Sequence, residues 1–273
     1  MTKKVIFLDI DGTIRNFDGT IPESTKQAVR AAREHGHEVC ISTGRPLFQV
    51  RPDVLEIGFD GVISDSGGYV EYKGKCVRSA CFEQNLFLEL GEWLLSHRCI
   101  MELQRWDRNF VPVEVQKPYQ MIIDGMIAAM GKGADDFVKH LAGYEPDWRS
   151  VTEVEKLLYF ADGETTQQLL REWDGRLHMT SFCIPNTALH GGEISPLHVY
   201  KREGMISIMQ ASGVAREDTI AVGDSDNDID MLEYAAVGIA MGNGTPGAKA
   251  AADMVTGALM EDGLADAFTR LGL

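Results

Sequence analysis

Apolar and polar positions along the chain fall into two textures. Residues 5–9 form a short apolar run of strand length that closes on Asp9. Residues 23–35 carry apolar positions at helical spacing, with Pro22 ahead and Gly36 behind, which predicts an amphipathic helix. Residues 38–42 repeat the strand pattern, 46–55 the helix and 61–64 the strand, while 68–72 and 75–79 flank Lys73-Gly74 as a hairpin. The rhythm returns at the far end. A helix over 200–212 stops at Gly213, and a strand over 219–223, a helix over 226–235, a strand over 237–240 and a helix over 246–252 follow. Strands alternating with helices predict an α/β fold with a Rossmann-like parallel sheet covered on both faces.

Between residues 83 and 190 the texture changes. All four tryptophans (Trp93, Trp106, Trp148, Trp173) lie there. Helical patterns over 83–97, 134–141 and 165–173 alternate with short strands over 100–104, 157–160 and 177–181. This predicts an α+β domain at 83–190 inserted into a core made of 1–82 and 191–273. No internal repeat or low-complexity tract interrupts either part.

Composition narrows the choice of partners. With 44 % hydrophobic and 25 % charged residues, the 273-residue chain can build an ordinary core. Its 26 basic against 41 acidic residues leave a net charge of −15, which repels phosphate backbones and argues against nucleic acid. No apolar run nears the ~18 residues of a membrane helix. The apolar stretch that begins at Val5 ends in Asp9-Ile10-Asp11, too early for a secretory signal. Five cysteines (Cys40, Cys76, Cys81, Cys99, Cys183), with no CxxC pair, predict reduced thiols and a cytoplasmic protein. Oligomeric state is left open.

Three polar clusters each follow a predicted strand: Asp9-Ile10-Asp11-Gly12-Thr13, Ser42-Thr43-Gly44-Arg45 and Gly223-Asp224-Ser225-Asp226-Asn227-Asp228. In an open parallel sheet, ligands bind at the carboxyl ends of the strands, so the clusters should converge there. Two carboxylates about 4 Å apart repel by about 4 kcal/mol at an effective dielectric near 20. Asp9, Asp11, Asp224 and Asp228 therefore call for protonation or a cation, and hard oxygen ligands favour Mg²⁺. A calcium loop is excluded: counted from Asp224, the sixth position is Ile229 rather than Gly and the twelfth is Ala235 rather than Glu. Gly242-Asn243-Gly244-Thr245-Pro246-Gly247 is a literal GxGxxG, but only a stub of strand around Met254-Val255 can follow it, so it reads as a strand-to-helix turn.

These motifs, in this order, resemble the haloacid dehalogenase superfamily, in which DxDGT, a strand-end Ser or Thr, a lysine and GDxxND follow one another. Thr43 or Ser42 matches the second motif, Lys201 the third, and Asp224, Asn227 and Asp228 the fourth. The long insertion, Ser42-Thr43-Gly44-Arg45-Pro46 and Ala240-Met241-Gly242-Asn243 resemble the Cof-like type IIB phosphatases. The resemblance implies that Asp9 is the nucleophile and Asp11 the general acid and base. It implies that Asp9, the Asp11 carbonyl and Asp224 hold Mg²⁺, with Asp228 and Asn227 around them. It implies that Thr43 or Ser42, with Gly44 and Lys201, grips the phosphoryl oxygens. Arg45, with Arg105, Trp106 and Arg108, is a candidate for holding a polar leaving group. Where many relatives have Lys-Gly this chain has Lys201-Arg202, and Ser66-Gly67 stands where many have Asn-Gly. The expected activity is Mg²⁺-dependent hydrolysis of a small phosphorylated metabolite, the insertion acting as a cap that selects it. A sugar phosphomutase and a non-enzymatic phospholigand sensor are the alternatives.

Overall fold

The computed structural model describes residues 2–130, 143–183 and 188–273. It divides into two compact units, one made of residues 1–79 and 200–273, the other of 80–199.

In chain order, the first unit opens with β1 (Val5–Leu8), α1 (Glu23–Glu34), β2 (Glu38–Ser42), α2 (Pro52–Leu55), β3 (Gly61–Ser64) and the hairpin β4 (Tyr69–Tyr72) and β5 (Lys75–Ser79). The second unit follows with α3 (Gln84–Ser96), β6 (Ile100–Gln104), β7 (Asn109–Pro112), α4 (Gln116–Met130), β8 (Gly143–Glu145), β9 (Lys156–Asp162), α5 (Gly163–Glu172), β10 (Leu177–Met179), β11 (Phe182–Cys183) and β12 (Leu189–Pro196). The chain then completes the first unit with α6 (Lys201–Ser212), β13 (Thr219–Gly223), α7 (Ile229–Tyr234), β14 (Val237–Ala240), α8 (Pro246–Ala251), β15 (Met254–Val255) and α9 (Gly263–Leu271).

The core sheet runs in the order β15-β14-β13-β1-β2-β3-β4-β5. From β15 to β3 all pairings are parallel; β4 and β5 are antiparallel. β1, β2, β3 and β13 are buried along their whole length, as expected for strands covered on both faces. One face packs α1 and α9 through Val29, Ala32, Leu264 and Phe268, and the other packs α6 and α7 through Met205, Ile208, Met231 and Leu232. The parallel register positions the site. Leu8 lies opposite both Ile41 and Val222, so Asp9, Ser42 and Gly223 reach the same edge together.

Two expected helices of the core are shorter than the periodicity suggests. Over 46–55 a 3₁₀ turn at Leu47–Gln49 is separated from α2 because Pro52 pushes Arg51 to an extended ψ of 147°. Over 226–235 a 3₁₀ turn at Asp226–Asp228 precedes α7; there the Ser225 side chain accepts from the Asp228 backbone and the Asp228 carboxylate from the Ser225 backbone.

The inserted unit is a sheet in the order β10-β12-β9-β6-β7-β8, with β11 beside β12. Met101, Leu103, Leu157 and Tyr159 face α3 and α5, with Trp148 in the middle. The Trp148 ring takes the place a side chain at Gly91 would need, 2.4 Å from its Cβ position, and meets Phe87 edge-on at 5.6 Å. On the other face, Ile100, Val111 and Phe160 pack Tyr119 and Ile123 of α4. The unit ends at 199 rather than the expected 190, because β12 pairs along the length of β9 from Leu189 to Ile194. Gly191-Gly192 hides that strand from sequence reading; at Gly192 a Cβ would stand 2.3 Å from the Tyr159 ring. The helix expected over 134–141 lies outside the described residues.

Candidate active site

Asp9 leaves β1 with its amide donating to the Val222 carbonyl at 3.0 Å, still in the ladder. Its carboxylate is buried and meets the ammonium of Lys201, which donates to Asp9 Oδ1 at 2.7 Å. The same ammonium, fully buried at the start of α6, also pairs with Asp228 Oδ1. Asp228 has no slack. Its Oδ2 accepts from the backbone amides of Asp224 and Ser225, both at 2.9 Å, which fixes the loop after β13. Asp224 in turn accepts from Thr13 Oγ1 at 3.2 Å. Gly12, at φ +94°, gives the turn after β1 a shape few other residues adopt, and the Asp224 carboxylate fills the space a Cβ would need.

Carboxylate oxygens of Asp9, Asp224 and Asp228 come within 4.8 Å of one another. The electrostatics show the strain of that gathering. Burial, against the pull of Lys201, pushes the Asp9 carboxyl up to about 8, and neighbouring Asp228 adds to the rise. Burial and Asp228 push Asp224 up to about 6. Lys201 is held protonated: burial alone would lower it, but Asp228 and Asp9 together more than offset that. Three acids against one ammonium leave unbalanced negative charge, and their hard oxygens are the donor set a Mg²⁺ ion takes.

Asp11, two residues beyond Asp9, is half-buried and does not join that set through its side chain. Arg45 holds it in a bidentate fork, Nε to Oδ2 at 2.6 Å and Nη2 to Oδ1 at 2.8 Å. Thr43 continues the ladder, its amide donating to Ile63 O at 2.8 Å, and its hydroxyl accepts from the Arg45 amide at 3.1 Å. Ser42 points with Cys40 to one side of the sheet, and its hydroxyl is buried without a partner among the described residues. Gly44 faces Asn227 and Ser66: a Cβ there would lie 3.5 Å from Asn227 Nδ2 and 3.4 Å from Ser66 Oγ. Ser66 itself sits at φ 54°, a left-handed conformation that Asn adopts more readily than Ser.

Lys201 was expected at the phosphoryl oxygens, and the structure sets it between Asp9 and Asp228. Arg45, expected on a leaving group, engages Asp11. Arg105 pairs with Asp107 and Glu153, and Arg108 with Asp107, inside the inserted unit. Thr13 and Asn243 stand within the motifs singled out above but carry no expected role there. Asn243 Nδ2 donates to the Gly12 carbonyl at 2.9 Å. The GxGxxG segment is indeed a strand-to-helix turn, with Thr245 capping α8. Cys40, Cys76, Cys81 and Cys99 form no disulfide, and among the described residues no helix is long and apolar enough to cross a membrane.

A family model described as haloacid dehalogenase-like hydrolase matches residues 6–268. YkrA of Bacillus subtilis (strain 168) is 31 % identical over 285 residues, covering 100 % of this chain and 99 % of that protein. Phosphatase YwpJ of the same organism is 26 % identical over 277 residues, covering 96 % and 97 %. Among solved structures, the HAD subclass IIB sugar phosphatase BT4131 is similar with a TM-score of 0.78 and 25 % identity, over 99 % of each chain.

Proposed function

This chain belongs to the haloacid dehalogenase-like hydrolases, and from that premise we propose that it is a phosphatase that hydrolyses a small phosphate monoester with Mg²⁺, through an aspartyl-phosphate on Asp9. A sugar phosphate or similar metabolite is the substrate class, supported by the likeness to a subclass IIB sugar phosphatase. The observation that carries the reading is the buried gathering of Asp9, Asp224 and Asp228 on one lysine, with a second carboxylate, Asp11, two residues from Asp9.

Asp9 and Asp224, with the Asp11 carbonyl, would hold Mg²⁺, and Asp228 and Asn227 would orient its surroundings; the ion would neutralise phosphoryl charge. The chain's own residues do the rest. The Asp9 carboxylate attacks phosphorus, and the bond to the leaving oxygen breaks as Asp11 donates a proton to it. Asp11, now anionic, takes a proton from water. That water attacks phosphorus, the bond to Asp9 breaks, and inorganic phosphate leaves. Lys201 fixes the Asp9 oxygen it touches, Arg45 must release Asp11 before that carboxyl can carry the proton it donates, and Thr43 with Gly44 would lie at the phosphoryl oxygens.

A panel of phosphorylated metabolites assayed for inorganic phosphate tests this. EDTA should abolish release and Mg²⁺ restore it. Ca²⁺ should inhibit, because its longer bonds and looser geometry misplace the nucleophile. Full turnover in metal-free buffer, or transfer to a sugar without phosphate release, would overturn the reading.

A further inference from the structure

The glycine-rich loop after β14 is built as tightly as a ligand loop. Gly242 donates to the Gly257 carbonyl at 2.9 Å, and a Cβ there would stand 2.6 Å from the Ala258 nitrogen. A Cβ at Gly244 would stand 2.9 Å from the Asp224 carbonyl. The loop therefore lies backbone to backbone against the segment that carries Asp224.

Its two polar side chains reach the two acid-bearing loops. Asn243 donates from Nδ2 to the Gly12 carbonyl at 2.9 Å, and its Oδ1 accepts from the Leu259 amide at 2.9 Å. The second bond fixes which end of the amide faces Gly12, since only the nitrogen can donate. The Thr245 amide donates to the Asp224 carbonyl at 2.8 Å, and its hydroxyl donates to Asp226 Oδ1 at 2.6 Å. Gly12 is the residue whose missing Cβ admits the Asp224 carboxylate. The turn after Asp9 and the loop of Asp224 thus touch with no slack, and one third loop grips both.

We propose that residues 242–245 clamp these two loops in register, and that Asn243 is a positioning residue for the nucleophile-bearing turn. The inference rests on the phosphatase reading for its kinetic consequence, not for the clamp itself. Asn243→Ala removes both bonds. Asn243→Asp keeps the acceptor for Leu259 and removes the donor to Gly12. Val70→Ala, on β4 and buried in the core cluster on the other face of the sheet, serves as a destabilised control that does not pack on residues 10–15.

Two readouts decide. Amide hydrogen exchange over residues 10–15 in the metal-free protein should quicken at least tenfold in both Asn243 variants and stay unchanged in Val70→Ala. With saturating Mg²⁺ and an aryl phosphate, both variants should lose about 10–100-fold in kcat with KM little changed, the loss expected for a displacement of about 1 Å. Unchanged exchange, or a kcat loss that Val70→Ala reproduces at equal Tm, would overturn the clamp. A wild-type protein that releases no phosphate would instead overturn the phosphatase reading, and the exchange data would still decide the clamp.

Discussion

Two buried carboxylates, one in each unit, are solvated in opposite ways. Asp9 in the core sits beside two other acids with a single ammonium for company, and burial pushes it up to about 8. Glu102 in the inserted unit is equally buried, but neutral donors surround it. Gln104 Nε2 and Asn109 Nδ2 reach one oxygen at 3.0 and 2.7 Å, and the Tyr119 hydroxyl reaches the other at 2.5 Å. A carboxylate that accepts several neutral hydrogen bonds is satisfied where it stands and ties α4 to its sheet. One packed against like charges is not, and such a site calls for a cation and a reaction. Burial alone does not mark an active site; the kind of partner does.

The contrast can be broken by substitution. Asp9→Asn should have the largest effect: it removes the attacking oxygen anion, and phosphate release should fall to background while the fold persists. Measurable turnover would take Asp9 out of the chemistry. Gly12→Ala should come next. A Cβ there would stand 2.3 Å from Asp224 Oδ2 at a φ of +94°, so Asp224 or the turn must move. A shift of about 1 Å predicts about a 10²-fold loss in kcat, measured beside a Tm that shows the variant folded. Glu102→Leu should spare chemistry and lower stability, because three buried donors each lose a hydrogen bond to the carboxylate, at about 1–3 kcal/mol each. Denaturant unfolding should show the loss, and kcat on an activated aryl phosphate should hold. A kcat that collapsed with Glu102→Leu would erase the distinction between the two carboxylates.

Much of the core was legible because a parallel sheet converts sequence into place. Apolar runs ending in Asp9, Ser42 and Gly223 bring their polar followers to one edge, since Leu8 pairs with both Ile41 and Val222. What was missed has local causes. Lys201 was legible as a cation near the site, but its seat between Asp9 and Asp228 depends on how α6 meets β1 and β13, which no spacing encodes. Arg45 on Asp11 is likewise a contact between strand ends. β12 was invisible because Gly191-Gly192 looks like a turn, though the strand needs a glycine where the Tyr159 ring crosses. That omission also misplaced the end of the insertion. Pro52 signalled the break that shortened the second helix, but the apolar positions around it outweighed the signal. Asn243 stood in a segment legible only as a strand-to-helix turn, and its bond to Gly12 links residues 231 positions apart.

If Asp9 attacks and Asp11 moves protons, one measurement separates the two. Asp9→Asn and Asp11→Asn are each mixed with an aryl phosphate and Mg²⁺, quenched in acid and weighed intact. An activated leaving group needs no proton, so Asp11→Asn should still form the aspartyl-phosphate. Without a base it should then hydrolyse the adduct slowly, by the ~10²–10⁴-fold that acid–base help supplies. A phosphoryl adduct is expected on Asp11→Asn and none on Asp9→Asn. An adduct on Asp9→Asn would contradict that assignment.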